Sequence, residues 1–556
     1  ASTAPAWEDA GGGASAIDDL SDAKSGGANF TSSLILGHQT TGTLSSASYN
    51  TAVGYAAMDA ITQGDENVAV GYGALGAITT GVSSVGIGSG AGGGLVTLGS
   101  TVAIGQDAFR HGTGGYNTFV GNAAGADASN TAANNVGVGY QALYANTSGT
   151  GNTAIGRKAM FDNETHSYNT AVGYNSLYNA VGASNTAVGY QAMTYNEGAG
   201  NNVAIGYKAG YGDSGGGNAG GANSVWIGSN AGLNIETGQD NVGIGYLTGD
   251  SLTSGGYHVL IGVRAGQALT TSSSCTLIGY DAGKNITAPN TVAIGNGCLD
   301  ALTSGTQNVA VGNNAGGVTT GSSNTLMGFA AMDSGIAVSN NTAMGANALG
   351  ALVYGNGGNT CIGFEAGSRL TGTDGAGDNG SYNTFVGTGA GKGTTQQRCT
   401  AIGYGAGAHP TEVGGWYRTD IGMYAGNANY GSQNVSIGYG ANQAGAGGYN
   451  ICIGMNSSTG GGGNNTNNAI ILGTDGLTAS TNSRVSIGTS SAHIYASYTS
   501  GTWSASSDVN MKKDIATDTL GLSFINDLRP VTFKYKAPSE YPTDWDSYSP
   551  PTYTKE

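Results

Sequence analysis

The sequence predicts an all-β fold, a parallel β-solenoid or β-roll of about 27 coils of ~17 residues each. Three observations predict it. The string "NTAVGY" occurs word for word from Asn50, Asn169 and Asn185. An aliphatic residue followed by Gly, here called the marker glycine, returns at this spacing from Gly37 to Gly488. Gly makes up 103 of the 556 residues, while charged residues are 9% and Pro only 8.

The composition excludes other classes of protein. Abundant Gly with little Pro, and without an every-third-residue period, does not form collagen. Disordered chains are usually rich in charge and poor in β-branched residues, whereas here Val, Ile and Thr recur on schedule. The net charge of −16 and pI near 4.6 would repel nucleic acid. No apolar run approaches the ~18 residues of a membrane span, so we expect no membrane insertion.

The positions of the repeat predict how one coil is built. The residue before the marker glycine is aliphatic, and the residue two earlier is almost always β-branched, as in Val53 and Thr51. Residues two apart share one side of a strand, and we expect this pair to face the core, with Ala52 facing away. A small residue such as Ala57 follows three after the glycine, and Gly, Asn, Ser and Thr then supply turns. Each coil is therefore predicted to contain two short strands.

Two residue types recur in a way that predicts ladders along the stack. One is the Asn that opens most units, and its amide can hydrogen-bond to the Asn of the next coil. The other is the aromatic residue after the marker glycine, for example Tyr55 and Tyr72. At ~4.8 Å per coil the stack would extend roughly 125 Å. Because the core would be thin, with stripes of small residues, we expect chains to pack lengthwise as an oligomer, most simply a homotrimer.

The "NTAVGYxA" unit resembles the head repeats of trimeric autotransporter adhesins and the shaft repeats of phage tail fibres. The resemblance covers residues 31–490. It implies that the solenoid is wound left-handed and is assembled as an elongated homotrimer.

The segment "SSDVNMKKDIATDTLGLSFINDLRPVTFKYK", from Ser506 to Lys536, is similar to the opening of the endosialidase-type intramolecular chaperone domain. That family trimerises the end of phage fibres, assists their folding and often cleaves itself. The resemblance implies catalytic roles for Ser507, Asp508 and Lys512, because a nearby Lys can activate a Ser hydroxyl by taking its proton.

The predicted organisation follows from these segments. Residues 1–30 form an N-terminal linker or the start of a fragment, 31–490 the repeat solenoid, and 491–507 a connecting segment. Residues 508–556 form a partial chaperone domain, a short α+β segment.

Units longer than the period predict surface loops, where binding sites of solenoids are found. One of them, "YGAGAHPTEVGGWYRTD", concentrates aromatic and charged residues that suit sugar binding: His409, Glu412, Trp416, Tyr417 and Arg418. The alternative is a loop that packs on its own trimer.

We expect no cofactor and no metal site, since phosphate-loop and calcium-repeat motifs are absent from the sequence and the His residues are scattered. The five Cys are expected to be small buried hydrophobes.

The function expected from these features is a structural and adhesive, trimeric phage tail fibre, located in the virion and extracellular. Its partners would be two further copies of the chain, a glycan or protein receptor on the bacterial surface, and other virion tail proteins. Apart from self-cleavage, no enzymatic activity is expected. The alternatives are a bacterial trimeric surface adhesin and a tailspike that degrades polysaccharide.

Overall fold

The computed structural model describes most of the chain up to residue 507. The described ranges are 23–25, 30–37, 44–127, 130–179, 182–195, 200–212, 221–334, 337–352, 355–371, 380–393, 396–409, 415–445, 447–460, 466–479, 481–498 and 503–507. The chain divides into two units, Ala1–Ala505 and Ser506–Glu556. Of the second unit the structure describes only Ser506 and Ser507, so the predicted chaperone segment 508–556 lies outside the described residues.

Short strands recur along the whole described chain, and the described residues contain no helix. The strands are β1 (Ala23–Ser25), β2 (Leu34–Leu36), β3 (Thr51–Val53), β4 (Val68–Val70), β5 (Val85–Ile87), β6 (Val102–Ile104), β7 (Thr118–Val120), β8 (Val136–Val138), β9 (Thr153–Ile155), β10 (Thr170–Val172), β11 (Thr186–Val188), β12 (Val203–Ile205), β13 (Val225–Ile227), β14 (Val242–Ile244), β15 (Val259–Ile261), β16 (Thr276–Ile278), β17 (Val292–Ile294), β18 (Val309–Val311), β19 (Thr325–Met327), β20 (Thr342–Met344), β21 (Thr360–Ile362), β22 (Thr384–Val386), β23 (Thr400–Ile402), β24 (Thr419–Ile421), β25 (Val435–Ile437), β26 (Ile451–Ile453), β27 (Ile470–Thr474), β28 (Arg484–Thr489), β29 (Ala492–Ser497) and β30 (Trp503–Ser507).

Each strand from β2 to β27 pairs in parallel with the next strand along the chain, which makes a solenoid of about 24 turns with ~17-residue spacing. The register is constant: Ala52 of β3 lies opposite Ala69 of β4, and Ala171 opposite Ala187. Antiparallel pairs flank the stack, because β1 pairs with β2 and β28 pairs with β29 in that direction. The predicted parallel β-solenoid is confirmed.

The direction in which the strand residues face is the reverse of the predicted one. Ala52, in the middle of β3, is completely buried, whereas Val53 is 41% exposed and Thr51 is also exposed. The reason is the narrowness of the coil, which accepts little more than a methyl group at most levels. Where the middle residue is large, a neighbour gives way: a Cβ on Gly243 would lie 2.3 Å from the ring of Trp226.

The side opposite the strands is not a second strand, contrary to the prediction. It is formed by the residues after the marker glycine, which alternate into the left-handed region, with φ of 58° at Ala56 and 53° at Met58. Their peptide groups bond to the coils on both sides: the N–H of Met58 donates to Ala74 O at 3.0 Å, and the N–H of Gly73 donates to Tyr55 O at 2.9 Å. These bonds between coils offset the strain of left-handed residues that are not glycine.

The core lies between the strands and this turn side. It combines the middle residue of each strand with residues three, four and seven after the marker glycine, such as Ala57, Met58 and Ile61. The predicted small residue three after the glycine is fully buried in the coils singled out by sequence: Ala57, Ala74, Ala108, Ala142, Ala192, Ala315 and Ala406.

The Asn ladder is confirmed. Asn67 is buried, its backbone N–H donates to Asn50 Oδ1 at 3.0 Å, and its Nδ2 donates to Gly81 O at 2.9 Å. The same amide-to-amide contact links Asn152 to Asn169 at 2.9 Å. Each Asn therefore bonds to the coil below it and closes its own coil, which fixes the register of the stack.

The aromatic ladder is also confirmed in runs of coils. The rings of Tyr174 and Tyr190 stack at 5.2 Å between centroids, and those of Tyr190 and Tyr207 at 5.4 Å. Tyr55 and Tyr72 form a shorter run, with centroids 5.7 Å apart and planes inclined by 11°. These rings stand on the surface of the solenoid and run along its axis.

Candidate functional site

The predicted self-cleavage residues lie at the boundary of the described residues. Ser507 is the last residue of β30, while Asp508 and Lys512 lie outside the described part of the chain. Their catalytic roles stay predictions.

The predicted sugar-binding loop is described at four of its five residues, since Glu412 lies outside the described ranges. The four do not form one exposed cluster. Trp416 and Tyr417 are 45% and 47% exposed, whereas His409 and Arg418 are buried. The expectation of surface positions was wrong for these last two residues. His409 packs its ring edge-to-face on Tyr430, with centroids 4.1 Å apart.

Arg418 is buried because it occupies the position of the ladder Asn. The string "RTDIG" from Arg418 aligns with "NTAIG" from Asn152, so Asp420 takes the place of the buried strand Ala. Arg418 Nη2 donates to Asp420 Oδ2 at 2.6 Å, and Nη1 donates to Asn429 O at 2.9 Å. Burial raises the pKa of the Asp420 carboxyl, and the Arg418 guanidinium opposes that shift. This pair is an internal substitute for the ladder and not a ligand site.

Two residues that were not predicted from the sequence, Tyr382 and Arg398, lie beside the exposed residues of this loop. Arg398 Nη1 donates to the hydroxyl of Tyr417 at 2.6 Å. The guanidinium carbon of Arg398 lies 5.5 Å from the ring centroid of Tyr417 and 5.6 Å from that of Tyr382. The residue before the ladder position is Tyr382, Arg398 and Tyr417 in three consecutive coils. Their spacing in the sequence therefore indicated that the three side chains are neighbours on the surface. The result is a surface of alternating aromatic rings and a cation beside Trp416.

A recess on the turn side is lined by residues of consecutive coils between 330 and 392. Its volume is about 490 Å³, and its charged residues include Asp333, Glu365, Arg369 and Lys392. Lys392 and Glu365 form an ion pair across it. Burial raises the pKa of Asp333. The recess is open and polar, with charges of both signs.

A second recess, here called the Tyr72 recess, has a volume of about 350 Å³ and is lined by Tyr72, Gly73, Gly90, Asp107 and Arg110, among others. Tyr72 is 64% exposed. Arg110 Nη1 donates to Asp107 Oδ1 at 3.0 Å, so the two side chains form one wall. The floor carries no side chains at Gly73 and Gly90.

The five Cys residues are free and buried, as predicted. Cys361 and Cys452 replace the buried Ala in the middle of β21 and β26. Burial raises the pKa of Cys298 and Cys452 to about 12, which leaves their thiols protonated and unreactive at neutral pH.

Among the described residues, no group of three or more His, Cys, Asp or Glu side chains is arranged to hold a metal ion. Within the same ranges there is no helix with the length and apolar character needed to cross a bilayer.

Comparison with known proteins yields no significant similarity: no protein-family model, no curated protein and no solved structure matches the chain.

Proposed function

We propose that the chain is a structural and adhesive subunit, a trimeric fibre of the phage tail-fibre type that contacts a bacterial surface. The observation that carries the proposal is a stripe of aliphatic side chains on the outer face of the strands, here called the strand-face stripe. It consists of strand residues directly before the marker glycine that are 37% to 41% exposed: Val53, Val70, Ile87, Ile155, Ile205, Ile244, Met327, Met344, Ile362, Ile402, Ile421, Ile453, Leu472 and Ile487.

A second copy of the chain is the occupant that fits this stripe. The stripe repeats with the coils, and only another object with the same repeat matches it along its length. With strands ~4.8 Å apart and a face about 10 Å wide, it offers roughly 1,200 Å² per chain. Stable interfaces need about 800 Å² per partner. The other strands from β2 to β27 carry aliphatic, partly exposed residues at the same position, which connect the stripe from coil to coil. An exposed apolar surface of this size marks an association site.

The proposals of three-fold symmetry and of a phage protein are supported by two sequence resemblances. The repeat resembles units that assemble as trimers, and the segment from Ser506 resembles a domain that trimerises phage fibres. The low charge content and the ladders suit a passive, rigid shaft rather than a catalytic domain.

We further propose that Ser507, Asp508 and Lys512 hydrolyse one peptide bond of the chain, with water as the second reactant and Lys512 taking the proton of the Ser507 hydroxyl.

The assembly is tested by the mass of the full chain in solution, measured by light scattering after gel filtration. We expect three times the chain mass of 54.8 kDa. The variant with Ile155→Glu, Ile205→Glu and Ile244→Glu places charges on the stripe and is expected to be monomeric. A monomeric parent chain overturns the trimer.

The matched control places the same charges on exposed residues outside the strands, in Ser148→Glu, Thr237→Glu and Ser254→Glu. It is expected to remain trimeric. Dissociation of both variants to the same extent would assign the effect to net charge and would overturn the stripe as the interface. Circular dichroism checks that both variants keep their β structure.

Surface contact is tested separately by co-sedimenting the labelled trimer with a panel of Gram-negative and Gram-positive cells. Binding to some strains supports the adhesive role, and a trimer that binds none overturns it.

Self-cleavage is tested by intact mass. A product shortened near Ser507 that becomes full-length in Ser507→Ala supports the catalytic assignment, and an uncut parent chain overturns it.

A further inference from the structure

We infer that the Tyr72 recess binds one neutral pyranose ring of a glycan. The inference deepens the proposed surface contact and rests on it, because it names the chemical class of receptor and the place of contact.

The first observation is an aromatic face that the ladder leaves open. One face of Tyr72 stacks on Tyr55, with ring centroids 5.7 Å apart. The next coil has Ser89 at this position, followed by Gln106, so the ladder stops at Tyr72. Its second ring face therefore points over the following coils, where no ring covers it. Such a face packs against the C–H face of a sugar ring, as aromatic rings do against other apolar surfaces.

The second observation is a floor without side chains. Positions two and five after the marker glycine are Gly73 and Gly76 in one coil and Gly90 and Gly93 in the next. In later coils the same positions carry large residues, such as Lys158 and Phe161, whose ammonium nitrogen and ring centroid lie 4.7 Å apart. The missing side chains create the recess, and they let a ligand approach the backbone closely.

The glycines of the floor have different roles. A Cβ on Gly90 would lie 2.8 Å from Asp107 Oδ1, so glycine there leaves room for the carboxylate. A Cβ on Gly73 would meet nothing within 4 Å, so glycine there is not required by the fold and leaves open space. Residue 73 has φ of 62°, and other coils hold Ala56 and Gln141 in the same region at 58° and 55°.

The third observation is the polar wall. Asp107 accepts hydrogen bonds and Arg110 donates them, and their ion pair leaves this wall without net charge. A ligand with both hydroxyl donors and oxygen acceptors fits this wall, whereas an anion would meet the Asp107 carboxylate. The volume of about 350 Å³ lies within the range of small-ligand pockets. A polyhydroxylated ring without charge satisfies the aromatic face, the floor and the wall together.

The test uses the full chain and saturation-transfer NMR with three probes offered separately: D-galactose, D-glucose and N-acetyl-D-glucosamine. For at least one probe we expect binding with Kd on the order of 1 mM and strongest transfer to the ring C–H protons. Gly73→Gln fills the recess with the side chain that Gln141 places at the same position. Tyr72→Ser removes the ring and copies Ser89. Both variants should weaken binding roughly tenfold.

Tyr190→Ser is the matched control, since both faces of Tyr190 are stacked within the ladder, and it should bind like the parent chain. The inference is overturned if no probe shows transfer, or if Gly73→Gln and Tyr72→Ser bind like the control. It is also overturned if Tyr72→Ser changes the mass of the assembly, because Tyr72 would then be a contact between chains. A trimer without sugar binding rejects this site alone, and a monomer that binds sugar rejects the trimer alone.

Discussion

Arg418 and Asp420 form an ion pair inside the solenoid, where both side chains are almost completely buried and Arg418 Nη2 lies 2.6 Å from Asp420 Oδ2. The pair stands where other coils have the ladder Asn and the strand Ala. It satisfies the carbonyls of Asn429 and Gly426 through the guanidinium, as a ladder amide does elsewhere.

Removing one partner of this pair should destabilise the fold far more than removing both partners. Asp420→Ala leaves a buried guanidinium without its counter-ion and should cost about 3–5 kcal/mol. Arg418→Asn combined with Asp420→Ala restores the common "NTAIG" pattern and should be neutral or stabilising. Denaturant unfolding of the parent, both single variants and the double variant completes the cycle. A double variant as unstable as Asp420→Ala would contradict the interpretation of the pair as a ladder substitute.

His258 makes the stability of the solenoid depend on pH. It occupies the ladder position, its Nδ1 accepts the N–H of Cys275 at 3.2 Å, and its Nε2 donates to Ser272 O at 2.7 Å. Burial lowers the pKa of His258 from its ordinary value of 6.5. Between the lowered folded pKa and 6.5 the unfolded chain binds more protons than the folded chain. Stability from this residue is therefore complete above pH 6.5 and decreases as the pH falls through that window.

The measurement is Tm between pH 5 and pH 7 for the parent chain and for His258→Asn. The variant keeps an amide at the ladder position and has no titrating ring, so its Tm should change less over this range. Equal changes in the two proteins would show that other groups dominate.

The marker glycines should tolerate no side chain. Gly173 has φ of 138°, and a Cβ there would lie 2.2 Å from Gly189 O in the next coil. Gly173→Ala should destabilise the coil by at least ~1–3 kcal/mol, from backbone strain together with the clash. Gly73→Ala is the control, because at φ of 62° it also carries left-handed strain but its Cβ meets no atom within 4 Å, so the comparison isolates the clash. Thermal unfolding of the two variants should differ clearly, and similar losses would refute the close-packing role of Gly173.

The sequence was sufficient for the stacking of coils and for both ladders, because the Asn and Tyr of "NTAVGY" recur at a constant spacing. It did not determine which face of the strand is inside. Alternation shows that Thr51 and Val53 share a face, and hydrophobicity favoured that face for the core, but the coil has room only for Ala52. The site was harder to predict. Tyr382 and Arg398 meet Tyr417 from other coils, and the Tyr72 recess is defined by side chains that are missing. Both become visible only when the register of successive coils is known.

The buried Asn ladder should contribute to stability at each level through bonds that no apolar residue replaces. Asn169 Oδ1 accepts the backbone N–H of Asn185 at 2.8 Å, and its Nδ2 donates to Gly182 O at 2.9 Å. In Asn169→Ala the buried N–H of Asn185 and the buried carbonyl of Gly182 lose this partner. Each loss should lower the free energy of unfolding by about 1–3 kcal/mol. Asn169→Ser should lose less, since Ser224 occupies a ladder position and its Oγ accepts the backbone N–H of Asn241 at 3.1 Å. Hydrogen exchange of the Asn185 amide gives the local readout: faster exchange is expected in Asn169→Ala than in Asn169→Ser. Unchanged protection in the Ala variant would show that the ladder amides are not what holds neighbouring coils together.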